Sequence, residues 1–296
     1  MNDDMKLHIQ NPEVYGGCVY YSQNREDLIL KSFFPAVKKG FYVDVGAFDP
    51  DEDSVTKLFY KEGWNGINIE PQTGQYKKFL KSRKRDINLN IGISSKKGQL
   101  KLKIFNSGGL STFSESIKSK YLHAPNIDNK EVKETTVNIE TLEHVFDKYA
   151  QQTINFMKID VEGFEYQVLE GNNWDKYRPQ VLCIEANYIE SDWHKIISKN
   201  GYTLVFNDGL NEYFTDNRTN IKDNFDYVKY VVQDRGGGLR NDQFELMNKL
   251  YINLKQKDNH VKELVNELQT SIGNQNSIGW LIERIIVLLR NKVRGK

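Results

Sequence analysis

The alternation of apolar and polar segments along the chain predicts alternating strands and helices. An apolar, β-branched and aromatic run at Phe41–Val45 has the composition of a strand buried on both faces. A glycine turn at Gly46, a polar stretch and a helical pattern over residues 55–60 follow, and a second apolar run at 66–69 ends in Glu70. This pattern is typical of a βαβ unit, whose helix directs its free N–H groups at whatever binds beside the turn.

The rest of the first 235 residues continues this alternation and predicts an α/β fold. We expect helices near residues 22–30, 75–80, 141–149 and 192–199, and strands at 87–93, 98–105, 137–139, 154–159, 181–184, 202–206, 211–214 and 227–231. Residues 114–133 are polar and without a clear period, which predicts a mobile loop.

Acidic side chains follow three of the predicted strands. Glu70 ends the second strand of the βαβ unit, where a carboxylate accepts hydrogen bonds from both hydroxyls of a ribose. An ordinary βαβ unit with a solvated glutamate fits the same pattern. Asp160 and Glu162 follow the strand at 154–159, and Glu185 follows 181–184. Because ligands bind at the carboxyl edge of an open α/β sheet, these acids predict a substrate site, although aspartate there also serves as a helix cap.

Composition narrows the classes of protein. The chain has 296 residues, of which 39% are hydrophobic, and a net charge of +1, which argues against nucleic-acid binding along its whole length. Two cysteines form neither a disulfide framework nor a zinc motif, so a reduced, cytoplasmic setting is expected. No signal peptide and no apolar run of about 18 residues is visible. The five histidines are scattered, so no metal site is predicted, although the carboxylates are chemically able to hold one.

Three ordered motifs carry a resemblance to a known family. Asp44-Val45-Gly46-Ala47, Ile69-Glu70-Pro71 and the run from Lys158 to Glu165 together resemble the FkbM family of S-adenosylmethionine-dependent methyltransferases. Segments 21–27 and 63–67 also fit, with a departure at Arg25, where similar sequences often have glycine. The resemblance covers about residues 20–215. It implies a Rossmann-like, seven-stranded class I methyltransferase domain and methyl transfer, often to a sugar hydroxyl.

The residues and the resemblance together assign candidate roles. The expected cofactor is S-adenosyl-L-methionine, which has no pyrophosphate, so one glycine suffices where a dinucleotide enzyme needs G-x-G-x-x-G. Gln23 is expected on a lid over the glycine turn, or else on the polar surface of its helix. Asn90 or Ile91 is expected beside the adenine, or else at an ordinary buried strand end. The predicted cofactor-binding residues are Gln23, Asp44, Gly46, Ala47, Ser54, Glu70, Asn90 and Ile91, and the predicted catalytic residues are Asp160, Glu162 and Glu185.

The last 60 residues have a different pattern. Apolar residues alternate at spacings of three and four over 240–272, with one polar break at Asp258, which predicts a coiled coil and a homo-oligomer. A single amphipathic helix packed on its own domain is the alternative. Residues 278–294 form an apolar stripe with basic neighbours, which suits an anionic membrane surface, or else a partner helix. The predicted organisation is therefore a domain at 1–235, a coiled coil at 240–272 and a basic amphipathic helix at 278–294.

These features predict an O-methyltransferase that acts on a glycan or glycolipid precursor at the inner face of a membrane. Its partners would be a small-molecule or glycan acceptor, and no nucleic acid. The alternative is a non-catalytic, cofactor-binding scaffold whose coiled coil assembles a glycan-synthesis complex. The presence of Asp44, Glu70 and Asp160 favours the enzyme.

Overall fold

A computed structural model of the protein describes residues 20–105, 110–123, 132–186 and 192–225. Residues 22–225 form one compact unit. The strand predicted at 227–231, the coiled coil predicted at 240–272 and the basic helix predicted at 278–294 lie outside the described residues. No helix within the described ranges is both long and apolar enough to cross a membrane.

The described chain alternates strands and helices as its apolar pattern predicts. In chain order the elements are α1 (Glu26–Phe33), β1 (Phe41–Val45), α2 (Lys57–Lys61), β2 (Asn65–Ile69), α3 (Thr73–Ser82), β3 (Ile87–Leu89), β4 (Gly92–Ile93), β5 (Gly98–Phe105), β6 (Ser111–Thr112), α4 (Glu115–His123), β7 (Val132–Glu140), α5 (Leu142–Tyr149), β8 (Phe156–Ile159), α6 (Glu165–Glu170), β9 (Val181–Glu185), α7 (His194–Lys199), β10 (Tyr202–Asn207) and β11 (Asn211–Asp216), followed by a 3-10 turn at Ile221–Asn224.

Seven strands form the main sheet, in the order β3-β2-β1-β8-β9-β11-β10. The first five are parallel, whereas β11 is antiparallel to both β9 and β10. The expected Rossmann-like, seven-stranded α/β domain is therefore confirmed. The chain moves outward from β1 to β3 and then returns to the other side of β1 at β8. Such a reversal opens a crevice outside the carboxyl ends of the two strands on either side of it.

The central strands are buried because apolar residues cover both of their faces. All five residues of β1 and all four of β8 are buried. Alternate residues point to opposite faces of a strand. Val43 and Met157 join the apolar cluster that includes Phe146 of α5, whereas Phe156 packs against the rings of Phe59 and Trp64. Burial of this kind contributes about 25 cal/mol per Å² of apolar surface and holds the strand ends in place.

A second, four-stranded sheet in the order β4-β7-β5-β6 is inserted between β3 and α5. Two predictions from the sequence are wrong in this region. The strand predicted at 87–93 is two strands, because the chain leaves the main sheet after Leu89 and β4 pairs instead with β7. The loop predicted at 114–133 contains α4, whose Ile117 and Tyr121, one helical turn apart, are both buried.

Candidate active site

A cavity of about 340 Å³ opens at the carboxyl edge of the main sheet, where β1, β2, β8 and β9 end. Eight of the residues proposed from the sequence line it: Gln23, Gly46, Ala47, Glu70, Ile91, Asp160, Glu162 and Glu185. The second sheet and α4 contribute further lining, including Phe113 and Tyr121. The topology thus brings together segments that are more than 100 residues apart in the chain.

The turn after β1 can contain only glycine at position 46. Gly46 has φ +78°, a conformation that favours glycine. A Cβ atom at this position would lie 1.8 Å from the carbonyl oxygen of Asp160. The Gly46 and Ala47 N–H groups both donate to the carbonyl of Ile69 at 3.1 Å, which joins the turn to the end of β2. The backbones after β1 and β8 are therefore in contact beneath the cavity.

Glu70 lies at the end of β2 and is buried. Its Oε2 accepts a hydrogen bond from the Phe48 N–H at 2.8 Å, and its Oε1 accepts one from the Gln72 N–H at 2.6 Å. Burial raises the pKa of Glu70 to about 8, although both N–H donors oppose the rise. The carboxyl is thus held in one orientation against the cavity. Each of its oxygens has a further lone pair for a ligand hydroxyl.

Lys158 connects the turn after β1 to the acids after β8. Its Nζ lies 3.0 Å from Asp160 Oδ2, 3.3 Å from the Gly46 carbonyl oxygen and 3.8 Å from Asp44 Oδ1. Burial opposes the charge, but Asp160 and Asp44 outweigh it and raise the pKa of Lys158. Burial likewise opposes ionisation of Asp160, yet Lys158 lowers its pKa below the usual range. Lys158 and Asp160 therefore form an ion pair in which the lysine is buried and the aspartate is partly exposed to the cavity.

Three carboxyl groups form a cluster, in which one carboxylate oxygen of each lies within 4.8 Å of those of the other two; they belong to Asp160, Glu162 and Glu185. Burial, together with the charge of Asp160, raises the pKa of Glu185 and raises that of Glu162 to about 8. Three carboxyls this close cannot all be ionised with one lysine beside them. Two chemical uses suit such spacing, a shared proton or a shared cation; the expectation of no metal stays a prediction.

The loop that carries Glu162 is held from several directions. Glu162 has φ +51°, in the left-handed region that is uncommon for residues other than glycine. Thr112 donates from its hydroxyl to the Glu162 carbonyl at 2.8 Å. Glu165 accepts hydrogen bonds from the N–H groups of Val161 and Gly163, at 3.3 and 3.1 Å. The surroundings therefore fix a backbone conformation that the residue would not adopt alone.

Three of the proposed cofactor-binding residues lie behind the cavity wall. Asp44 is buried between Lys158 and Thr56, whose hydroxyl donates to it at 3.3 Å. Ser54 accepts a hydrogen bond from buried Arg83 at 2.9 Å. Asn90 donates to the carbonyls of Glu70 and Pro71, both at 2.9 Å, and so fixes the end of β2. Asp44 and Asn90 thus contact residues that line the cavity, whereas Ser54 contacts Arg83, which does not line it.

Two residues of the site were not assigned a role from the sequence. Lys158 begins one of the family motifs, but its pairing with Asp44 depends on strand order. Tyr121, whose hydroxyl donates to Glu162 Oε2, lies in the segment expected to be a loop. The four-residue spacing of Ile117 and Tyr121 is the signal that predicts a helix with both side chains on one face.

Comparison with known proteins identifies a family. A family model described as the Methyltransferase FkbM domain matches residues 44–204, more than half of the chain. No curated protein matches the sequence. Among solved structures, one described as a protein in the NADB-Rossmann superfamily from Streptococcus agalactiae is similar at 13% identity and a TM-score of 0.36, over 86% of this chain and 96% of that one.

Proposed function

The chain belongs to the FkbM family of methyltransferases, and from this premise we propose that it transfers a methyl group from S-adenosyl-L-methionine to a sugar hydroxyl in a glycan or glycolipid precursor. One observation carries the proposal. A glycine turn and a buried glutamate, which suit the cofactor, line the same cavity as three clustered carboxyls, which suit a hydroxyl that must lose its proton.

The residues around the ends of β1 and β2 fit this cofactor. Contact between the Gly46 turn and the Asp160 carbonyl leaves room for backbone only, so no side chain at position 46 fills the space between the ends of β1 and β8. The oriented carboxyl of Glu70 would accept from the ribose hydroxyls. The same cavity is lined by Gln23, Ala47 and Ile91, which would contact the other parts of the cofactor. When bound, S-adenosyl-L-methionine would supply an electrophilic methyl group.

Asp160 and Glu162 would have different roles toward the acceptor. Asp160 is ion-paired with Lys158, which makes it a weak base and suits it to hold and orient a hydroxyl. The raised pKa of Glu162, about 8, lies near the pH at which an enzyme works, and a carboxylate in that range accepts a proton efficiently. Glu185, next to both, would hold or pass on the proton. Such general-base catalysis is worth about 10²–10⁴-fold in rate.

The remaining lining favours a sugar as the acceptor. The rings of Phe113 and Phe164 pack at 5.5 Å from each other and line the cavity that contains the carboxyl cluster. A sugar ring presents apolar C–H faces and several hydroxyl groups at its edge. Aromatic rings and carboxyl oxygens complement those two surfaces. Among the described lining residues, Lys158 is the sole positively charged side chain, and Asp44 and Asp160 already compensate its charge. No free positive charge is therefore left among them to bind an acidic sugar.

The experiment combines binding with transfer. Calorimetry with S-adenosyl-L-methionine measures the first step, and mass spectrometry of glycans from cells with and without the protein looks for the mass of one CH₂ group. Asp160→Asn and Glu162→Gln should keep cofactor binding and lower transfer by about 10²–10⁴-fold. The matched control is Glu52→Gln, at an exposed position that does not itself line the cavity, which should change neither.

Each outcome has a definite meaning. Absence of cofactor binding by the full chain would overturn the proposed function. Binding without transfer to any glycan pool would favour the non-catalytic scaffold. Transfer that survives in Glu162→Gln but not in Asp160→Asn would move the role of proton acceptor to Asp160.

A further inference from the structure

Tyr121 is a buried tyrosine that contacts the carboxyl cluster from outside the main sheet. It lies on α4, is 2% exposed, and its ring packs edge-on against Phe105 at 5.2 Å. Its hydroxyl donates a hydrogen bond to Oε2 of Glu162. Because its ring is enclosed by the second sheet and α4, the position of its hydroxyl is set by packing.

Thr112 holds the same residue through the backbone. Its hydroxyl donates to the carbonyl of Glu162, whose left-handed φ of +51° would otherwise be disfavoured. Thr112 is in β6 and Tyr121 is in α4, so both contacts come from the inserted sheet and its helix. The inserted sheet and its helix therefore hold Glu162 at two points, its backbone carbonyl and its side-chain carboxyl.

We propose that Tyr121 is a positioning residue for methyl transfer, holding the carboxyl of Glu162 by one oxygen so that the other faces the acceptor hydroxyl. This rests on the proposed function, in which Glu162 accepts the proton. A carboxylate that rotated freely could turn toward Lys158, which already bonds Asp160. The phenol restricts that rotation, and a phenol that donates to a carboxylate stabilises its charged form.

The charge of Glu162 also depends on its other neighbours. Asp160, Lys158 and Glu165 of its own segment act on it, as does Glu185 from β9. Burial and the two acids Asp160 and Glu165 raise the pKa of Glu162, whereas Tyr121 and Lys158 lower it. Removing the phenol while the other groups stay must therefore raise the pKa further.

The test is a carboxyl titration of the full chain. Glutamate labelled with ¹³C at its side-chain carboxyl is incorporated, and Glu162→Gln identifies the Glu162 signal. In Tyr121→Phe the titration midpoint of Glu162 should rise by about one pH unit, because a charge-assisted hydrogen bond is lost. The matched control is Tyr177→Phe, which removes a hydroxyl that donates to Asp147 at the surface and should leave the midpoint unchanged.

Kinetics separate positioning from structural support. With the acceptor identified by glycan mass spectrometry, Tyr121→Phe should lower kcat at least tenfold with little change in KM, and should bind S-adenosyl-L-methionine as the parent does. Should that variant not fold, Thr112→Val serves instead, because release of the Glu162 backbone displaces the carboxyl from the phenol and raises the midpoint in the same way.

An unchanged midpoint in a folded Tyr121→Phe protein, or an unchanged kcat, overturns the proposal. Failure of the proposed function gives a different result. The parent chain would then bind no S-adenosyl-L-methionine, whatever the titration of Glu162 shows.

Discussion

At the scale of single residues, the site is a set of acids whose ionisation is controlled by position. Lys158 lowers the pKa of Asp160, whereas burial and nearby acids raise the pKa values of Glu162 and Glu185. Three carboxyl groups whose oxygens lie within 4.8 Å of one another thus have pKa values shifted in opposite directions. Such differences are how one site provides both an anion and a proton acceptor near neutral pH.

Glu70 gives a prediction at this scale. In Glu70→Gln one carboxyl oxygen becomes an NH₂ group, which cannot accept a hydrogen bond from a ribose hydroxyl. The NH₂ group would also face the backbone N–H of Phe48 or Gln72, a donor that now has no acceptor. A buried hydrogen-bonding group left without its partner costs about 1–3 kcal/mol, and two are left here, so affinity for S-adenosyl-L-methionine should fall at least tenfold. Calorimetry measures this, with exposed Glu52→Gln as the control. Unchanged affinity in the Glu70 variant would remove Glu70 from the cofactor site.

At the scale of elements, the cavity depends on how closely the turn after β1 approaches the end of β8. Parallel neighbours place their carboxyl ends side by side, and β1 and β8 are in register from Tyr42 opposite Phe156 to Val45 opposite Ile159. The Gly46 turn and the Asp160 carbonyl then meet with no space for a side chain. This contact ties the proposed cofactor side of the cavity to the proposed acceptor side.

Two glycine variants test that contact. Gly46→Ala forces a Cβ to within 1.8 Å of the Asp160 carbonyl and places alanine at φ +78°, so we expect a loss of stability of about 3 kcal/mol or more and loss of cofactor binding. Gly74→Ala is the matched control. Its Cβ meets no atom within 4 Å, and in the first turn of α3 it should stabilise by up to about 1 kcal/mol. Chemical denaturation measures both; equal stability in the two variants would contradict the expectation.

At the scale of the whole molecule, the buried acids make stability depend on pH. The pKa of Glu70 and that of Glu162 are raised to about 8, and that of Glu165 to about 7, chiefly by burial. The native state keeps these protons at pH values where the unfolded chain, with ordinary glutamates, has lost them. Their contribution is therefore present below about pH 4.5 and is lost as pH rises toward 8. Acids whose pKa is lowered, such as Asp49 and Asp216, titrate below this range.

The ligand-free protein should accordingly melt at a lower temperature at pH 8 than at pH 5. Each such proton is worth about 1.4 kcal/mol per pH unit between the unfolded and the native pKa, so the free energy of unfolding should differ by several kcal/mol. Glu162→Gln removes one of the titrating groups, so its Tm should fall less over the same range. Differential scanning calorimetry of both proteins provides the measurement. A parent Tm that rises between pH 5 and pH 8 would mean that these acids are ionised in the native state.

The segment after residue 235 supports a prediction from its sequence alone. The heptad spacing over 240–272 predicts a self-associating helix, and the basic, apolar stripe over 278–294 predicts binding to anionic lipid. The full chain should therefore be an oligomer that sediments with anionic liposomes and is released at high salt, since avidity strengthens weak single contacts. A chain truncated after Arg235 should be monomeric. Light scattering that shows a monomeric full chain, together with no sedimentation, would contradict both expectations.

The sequence by itself determined the main sheet and eight of the residues that line the cavity. Strands buried on both faces have continuous apolar runs, and a parallel sheet places whatever follows its strands at one edge. Gly46, Glu70, Asp160 and Glu185 were found because each directly follows or ends such a run. Local pattern suffices when a residue's place is set by the strand that precedes it.

Only the tertiary structure decided what surrounds those residues. The inserted sheet, the contact of Tyr121 with Glu162 and the pairing of Lys158 with Asp44 join segments that lie far apart in the chain. The placement of Ser54 and Asn90 behind the wall depends on Arg83 and on the carbonyls after β2. The ionisation of each acid follows from burial and from distances of a few ångströms to other charges. These are properties of the packed chain, and spacing along the sequence does not contain them.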